Sequence, residues 1–347
     1  MLERILKIGL LLCLAASVSL AQKDKDKAPK PLPKAKPEPA EKIKPPAYPE
    51  PPHYQYDERK TSEKAIAVDP NVAIKLCISE GAVKVNGWER NEVRVFVHNG
   101  RKFEIKSLEK NPSTGKANWL WLTNVRPVGA PAGPNSDCLG GESIELDVPF
   151  GTGIDLFARE ADVMVDSVKK ANIKVDGGKI NLRNVAGGVT ALTLRGDVTI
   201  ESSSGEISLE TTTGNVVAYD VAPGQVGDLL RVKTKGGSIS LQNVNHRQID
   251  ADSYSGSVAF AGKLLSGGIY RFKSSNGSVR LLLPADTSCK VVASYGFGTF
   301  ETILPVKMLT QTTTPGGMGF VGTIGKGDTT TVNITTTKGS VEIRPRN

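Results

Sequence analysis

One short phrase recurs along the second half of this chain: a glycine, a small or polar residue, then two apolar residues two positions apart. It reads Gly178-Lys-Ile180-Asn-Leu182, Gly196-Asp-Val198-Thr-Ile200, Gly205-Glu-Ile207-Ser-Leu209 and Gly214-Asn-Val216-Val-Ala218. It continues as Gly237-Ser-Ile239-Ser-Leu241, Gly256-Ser-Val258-Ala-Phe260, Gly277-Ser-Val279-Arg-Leu281 and Gly339-Ser-Val341-Glu-Ile343. Cβ direction alternates along a strand, so the two apolar residues share one face. Repetition of this kind makes a chain coil and stack short strands, each turn burying its neighbour's interior. The glycines at 187, 196, 205 and 214 lie nine apart, and those at 237, 256 and 277 follow at 23, 19 and 21. The expected fold is therefore all-β: a β-solenoid of about 20 residues per turn with two strand arms and a glycine at each corner. Aromatic residues make up only 5% of the chain, so Val, Ile and Leu must fill the interior.

Residues 61–150 alternate at period two without the tight repeat, as in Val83-Lys-Val85, Val93-Arg-Val95-Phe-Val97 and Ile144-Glu-Leu146-Asp-Val148. They predict half-buried strands that cap one end of the coil over 151–347. Loops are expected at Asn99-Gly100 and over 127–141. At the far end the final strand, residues 341–343, followed by Pro345, is expected to blunt further pairing.

Two N-terminal segments lie outside this body. Arg4 and Lys7, the apolar run 8–14 and the small residues Ser19 and Ala21 predict a cleaved export signal over 1–21. Leu12 before Cys13 argues against lipidation. Residues 22–60 are rich in proline and lysine and poor in aliphatic residues, which predicts an extended, disordered spacer. No later run is long and apolar enough to span a membrane as a helix. Of the net charge of +8, about half lies in residues 61–347, with both signs interspersed. Nucleic-acid binders concentrate positive charge on a stripe or face, so nucleic acid is not an expected partner. Export permits disulfides; if a pair forms among the three cysteines left after the leader it is Cys77 with Cys138, and the alternative is that Cys77, Cys138 and Cys289 are small buried hydrophobes.

Motifs that would carry chemistry are thin. The calcium-binding β-roll pattern needs aspartates in register at each turn, and Asp176, Asp197 and Asp220 do not recur so. Gly317-Met-Gly319-Phe-Val-Gly322 matches a dinucleotide fingerprint but lacks the strand before and helix after it, which predicts a flexible excursion instead. His53, His98 and His246 show no spacing that links them to a nucleophile or a metal. No catalytic, cofactor or metal residues are assigned. Asp155, Glu160, Asp162 and Asp166 are the nearest carboxylates for a polysaccharide lyase or hydrolase on a β-helix, the alternative to a non-enzymatic module. Trp119 and Trp121, two apart on one strand face, could stack on sugar rings or pack against the coil. A third reading is an assembly factor whose coils stack end to end.

The stretch Val83-Lys-Val85-Asn-Gly87-Trp88-Glu-Arg90-Asn-Glu92-Val93-Arg-Val95, then Leu146-Asp-Val148-Pro149 before Gly151-Thr-Gly153 and the glycine-led repeats, resembles a bacterial family of exported β-strand repeat-containing proteins usually called putative adhesins. The resemblance covers roughly residues 65–347. It implies a solenoid-like fold and an envelope location, and brings no catalytic residues. The expected function is an exported, adhesin-like structural or binding module, periplasmic or on the cell surface. Its flat Ser/Thr/Asn-rich faces would meet a polysaccharide or another protein.

Overall fold

The structure is a computed structural model that describes residues 61–125, 136–225, 227–327 and 329–346. The expected leader and spacer, with Cys13 and His53, lie outside the described residues, as does much of the loop expected over 127–141. The body is an all-β coil whose strands stack mostly in parallel. Each turn has one longer strand, such as Val189–Arg195 or Ile207–Thr213, and one shorter strand, such as Val198–Glu201 or Val216–Tyr219. Longer strands pair with longer and shorter with shorter on successive turns. Ser62–Trp88 and Gly153–Asp166 are long enough to run through both sides in one piece.

The alternation read from the sequence sets what each strand buries. Along the longer side Ile74, Ile154, Ala171, Val189, Ile207, Leu230, Ile249 and Tyr270 stack inward in register. All are 3% exposed or less. The shorter side contributes Val83, Val163, Ile180, Val198, Val216, Ile239, Val258 and Val279 in the same way. Each such side chain is worth roughly 1.5–3 kcal/mol of apolar burial. Aromatic side chains pack together at two places, Phe260 with Tyr270 and Phe272, and Phe300 with Tyr295 and Phe320.

The coil has three sides, not the two expected. After each shorter strand the chain turns through a residue of positive φ, namely Ser167, Asn184, Ser202, Asp220 or Asn243. It then runs a short non-strand side that points Val168, Val185, Ser203, Val221 and Val244 inward. Backbone bonds tie this side turn to turn, for example Ser204 N to Val185 O at 2.7 Å and Asn245 N to Val221 O at 2.9 Å. The glycines nine apart thus belong to two different corners. Gly178, Gly196 and Gly214 form one, while Gly187 and Gly205 fall on the third side.

The corner between the longer and shorter sides is a column of glycines in van der Waals contact. A Cβ on Gly196 would lie 2.0 Å from the carbonyl oxygen of Gly178, and one on Gly214 would lie 2.0 Å from that of Gly196. The column continues through Gly237, Gly256 and Gly277. The same carbonyls accept hydrogen bonds from buried hydroxyls one turn on. Thr193 Oγ1 donates to Gly178 O, Thr211 Oγ1 to Gly196 O, Thr234 Oγ1 to Gly214 O and Ser253 Oγ to Gly237 O, at 2.8–3.1 Å. Hydroxyls were expected to crowd these corners; their role is to satisfy glycine carbonyls that the corner turns away from the strand ladder.

Both ends of the coil depart from simple winding. Val341–Pro345 does not end the coil, as expected, but lies between Val279–Leu283 and Phe300–Thr302. Thr331–Thr336 likewise lies between Ile269–Ser274 and Cys289–Tyr295. The glycine column records the same order: Gly339 stacks on Gly277, and Gly298 on Gly339. At the other end Ser62–Trp88 is flanked by Gly153–Asp166 on one side and by Ala117–Asn124 and Leu139–Pro149 on the other. The final two strands, and Ser62–Trp88 from Ala73 onward, are therefore slotted inside the stack, and intervening segments form the outermost turns. Those turns are closed by antiparallel strands, Glu92–His98 on Leu139–Pro149 and Phe103–Lys110 on Ala117–Asn124. The segment expected as a flexible excursion is instead the strand Gly317–Ile324, antiparallel to Cys289–Tyr295. Gly317–Ile324 has glycines because it crowds its neighbours: a Cβ on Gly322 would meet Phe320 and Val306. Cys77 and Cys138 form a disulfide between the first strand and the outer turn, with Cα atoms 4.4 Å apart.

Two outcomes follow for stability. Gly214→Ala forces a Cβ against backbone at φ +154 and is expected to cost about 3 kcal/mol, whereas Gly316→Ala, which faces open space, costs close to nothing. Urea midpoints of the two variants check this. His246 is fully buried, with Nε2 2.8 Å from Gly205 O and Nδ1 without a partner. Desolvation lowers its pKa, only partly offset by the Gly205 bond and by Asp228. The unfolded chain takes up that proton first, so stability falls as pH drops below the unfolded value of about 6.5. Thermal midpoints measured between neutral and mildly acid pH should decline in the wild type and decline less in His246→Gln.

Candidate functional site

The outer face of the longer side is a grid whose columns run from turn to turn. In its middle two cross-strand pairs answer one another: Arg231 stands 3.9 Å from Asp250, and Lys273 3.3 Å from Asp252. The face expected to be Ser/Thr/Asn-rich is therefore a charge checkerboard in its middle, with Asn172, Thr190 and Ser208 adjacent only on the turns before it. Oppositely charged neighbours on successive strands stabilise the sheet and leave little free for a ligand.

The grid breaks at its N-terminal end. Across four strands in register lie Trp119, Ala73, Gly153 and Lys170. The next column outward holds Trp121, Lys75, Asp155 and Asn172. Strands lie about 4.8 Å apart, so Trp119 and Lys170 stand roughly 14 Å apart with only a methyl group and a glycine between them. The result is a depression of about 350 Å³ lined by Trp119, Lys75, Asp155, Lys170 and Asn172 and floored by Ala73 and Gly153. A Cβ on Gly153 would meet nothing within 4 Å. Trp119 is 38% exposed while its strand neighbours Leu120 and Leu122 are fully buried, so the strand itself presents the indole. Trp121 shares that face but is half-buried, with Lys106 Nζ 5.5 Å from its ring. Asn172 Nδ2 donates to Asp155 Oδ1 at 2.8 Å, which fixes both side chains along one wall. The Lys75 and Lys170 ammoniums have no ion-pair partner among the described residues.

The other sequence candidates are already engaged, Asp155 on the wall of the depression and the rest outside it. Asp155 holds Asn172, and Glu160 pairs with Arg195. Asp162 accepts from Lys179 N, and Asp166 from Ser167 Oγ and Asn184 Nδ2. These four carboxylates thus brace successive turns. Thr61 Oγ1 lies 3.0 Å from His98 Nδ1 at the sheet edge. Cys289 is buried, which pushes its thiol up to about 11 and leaves it unreactive. A larger polar cleft of about 930 Å³ lies beside Cys138, lined by Glu80, Glu142, Arg101 and Asn124 among others. Its side chains bond across it, as Asn99 does to Glu142 at 2.7 Å. Among the described residues no three His, Cys, Asp or Glu side chains group to hold a metal, and no helix is long and apolar enough to cross a membrane. Ala73, Gly153 and Lys170 were not legible as site residues, because only strand register brings them to Trp119.

The family model described as Toastrack DUF4097 matches residues 65–344. No curated protein matches the chain. Among solved structures, a putative cell adhesion protein from Clostridium sporogenes is similar at 11% identity and a TM-score of 0.24, over 83% of this chain and 100% of that one. A putative adhesin from Bacteroides fragilis is similar at 13% identity and a TM-score of 0.35, over 83% of this chain and 97% of that one.

Proposed function

The chain belongs to the Toastrack DUF4097 family, and from that premise we propose that it is an exported, non-enzymatic binding module of the cell envelope that holds an acidic polysaccharide at the Trp119 depression. The observation that carries this reading is the break in the charge grid. An open indole and two ammoniums without ion-pair partners surround a floor with no side chain beyond a methyl group. An indole offers a broad apolar plate for a sugar ring, and Lys75 and Lys170 are placed to meet a carboxylate or sulfate on that ring. Asp155 and Asn172 supply fixed acceptor and donor groups for hydroxyls. A volume near the lower bound for small-molecule sites suits one ring at a time, so avidity would come from a polymer. Glu160, Asp162 and Asp166 brace the turns away from the depression, and Asp155 alone lines it; glycoside hydrolysis uses two facing carboxylates, which favours holding over turnover. Residues 22–60 would then serve as the spacer that carries the module away from its point of attachment.

Titration of the purified protein with a hyaluronan oligosaccharide and with a neutral maltooligosaccharide tests the reading. The acidic probe is expected to bind and the neutral one to bind at least about tenfold more weakly, a difference of roughly 1.4 kcal/mol. Trp119→Ala and Gly153→Val, the second of which fills the depression without touching its walls, should each weaken binding by about tenfold or more. Equal binding of both probes, or binding unchanged in both variants, would overturn the assignment. On intact cells, a non-permeant protease should remove the protein if the module faces outward; protection until the outer membrane is opened would move its role to the periplasm.

A further inference from the structure

Four strand edges are open among the described residues: residues 62–67, Phe103–Lys110, Phe300–Thr302 and Val306–Thr314. An open edge is a template for another strand, and proteins guard such edges with charge or keep them short. Three of the four are guarded. Residues 62–67 carry Glu63 and Lys64, with Glu63 paired to Arg94. Phe103–Lys110 carries Glu104, Lys106, Glu109 and Lys110, and its exposed Leu108 sits beside two of them. Phe300–Thr302 is three residues long and holds Glu301.

Val306–Thr314 has neither guard; a bulge at Leu309 interrupts it, and residues 310–314 beyond the bulge run in regular register. It is nine residues long, its only charge is Lys307, and residues 308–314 read Met-Leu-Thr-Gln-Thr-Thr-Thr. It pairs with Gly317–Ile324 on one edge only. Every residue after Val306 is exposed, so both faces of the strand and its free edge meet solvent. The inward side chains of the hairpin, Phe320 and Ile324, come from the other strand. A strand this long, nearly uncharged and overhanging leaves a row of unpaired backbone groups that a further strand can satisfy. Exposed apolar residues gather at the same end: Phe297 at 77%, Ile303 at 66%, Met308 at 57% and Leu309 at 53%.

We propose that this edge pairs with the same edge of a second copy of the chain, antiparallel about a twofold axis, so that the longer side of one coil continues into that of the next. The partner is a second copy because the edge is self-complementary. Centred on Gln311, antiparallel pairing puts the two Gln311 residues opposite each other and the two Lys307 residues about 27 Å apart along the strands, so the one charge on the edge does not oppose itself. The charged edges at the opposite end of the coil exclude head-to-tail pairing, so the assembly closes as a dimer instead of growing as a filament. The two Trp119 depressions would then lie at the outer ends of the pair.

Sedimentation of the full-length protein over a range of concentrations tests this, with a reversible monomer–dimer equilibrium expected. Placing lysines at the exposed positions Met308→Lys, Thr310→Lys and Thr312→Lys should weaken dimerisation by about tenfold or more without moving the thermal midpoint measured at concentrations where the wild type is monomeric. Independently of that variant, Gln311→Cys should yield a covalent homodimer on mild oxidation. When Gln311→Cys is mixed with Ser107→Cys, which sits on the opposite edge, no mixed product should form. A protein monomeric at every concentration, a dimer indifferent to the three lysines, or crosslinking of residue 311 to residue 107 would each overturn the proposal.

Discussion

Successive turns of this coil meet at a corner where the backbone of one glycine rests on the carbonyl of the glycine below. Nothing larger fits, since a Cβ would come within about 2 Å of that oxygen at most steps of the column. Close approach at one corner brings the two strand-built sides to hydrogen-bonding distance of the turns above and below. The cost is a carbonyl aimed into the coil, and a buried polar group without a partner is destabilising by roughly 1–3 kcal/mol. Threonine or serine at the end of each longer strand answers it, at Thr193, Thr211, Thr234, Ser253, Ser274 and Thr336. Glycine and hydroxyl are thus two halves of one device. On the solvent side of the corner a parallel device operates, with Asp162, Asp197 and Asn215 side chains accepting from the next turn's backbone N–H.

A stack built by such a local rule has no intrinsic stopping point, and its ends would fray. Val341–Pro345 and Thr331–Thr336 are slotted inside the stack, paired on both edges, away from the outer turns where fraying starts. Ser62–Trp88 is held in the same way at the opposite end, with the Cys77–Cys138 bond fastening the outer turn to it. The outermost turns are then finished with edge strands that carry charge at one end, while at the other Val306–Thr314 carries only Lys307. That asymmetry is what distinguishes the two ends as surfaces.

The repeating Gly-x-aliphatic-x-aliphatic phrase was sufficient to read the all-β coil and its inward columns, because period-two burial and corner glycines are local rules. The order of the turns was not legible. Gly339 looks like the next step after Gly277 in either arrangement, and only the insertion of residues 284–330 between them, which itself supplies a further turn and a hairpin, shows that the step is skipped in sequence and made in space. The third side was hidden because a single inward valine between turns, as at Val185 or Val244, carries no periodicity. Trp119 and Trp121 were legible as one strand face. The floor beneath Trp119 was not, since Ala73 and Gly153 acquire meaning only from register across three strands.

The binding reading and the pairing reading both depend on the coil being stacked in the order the glycine column records. Amide hydrogen exchange measures that order directly, because protection reports burial within the ladder and not distance from the chain terminus. If residues 341–343 lie between two turns, their amides exchange as slowly as those of residues 279–281 despite being a few residues from the C-terminus. If those amides exchange early, together with a fraying end, the final strand is an outer turn and the slotted arrangement is wrong.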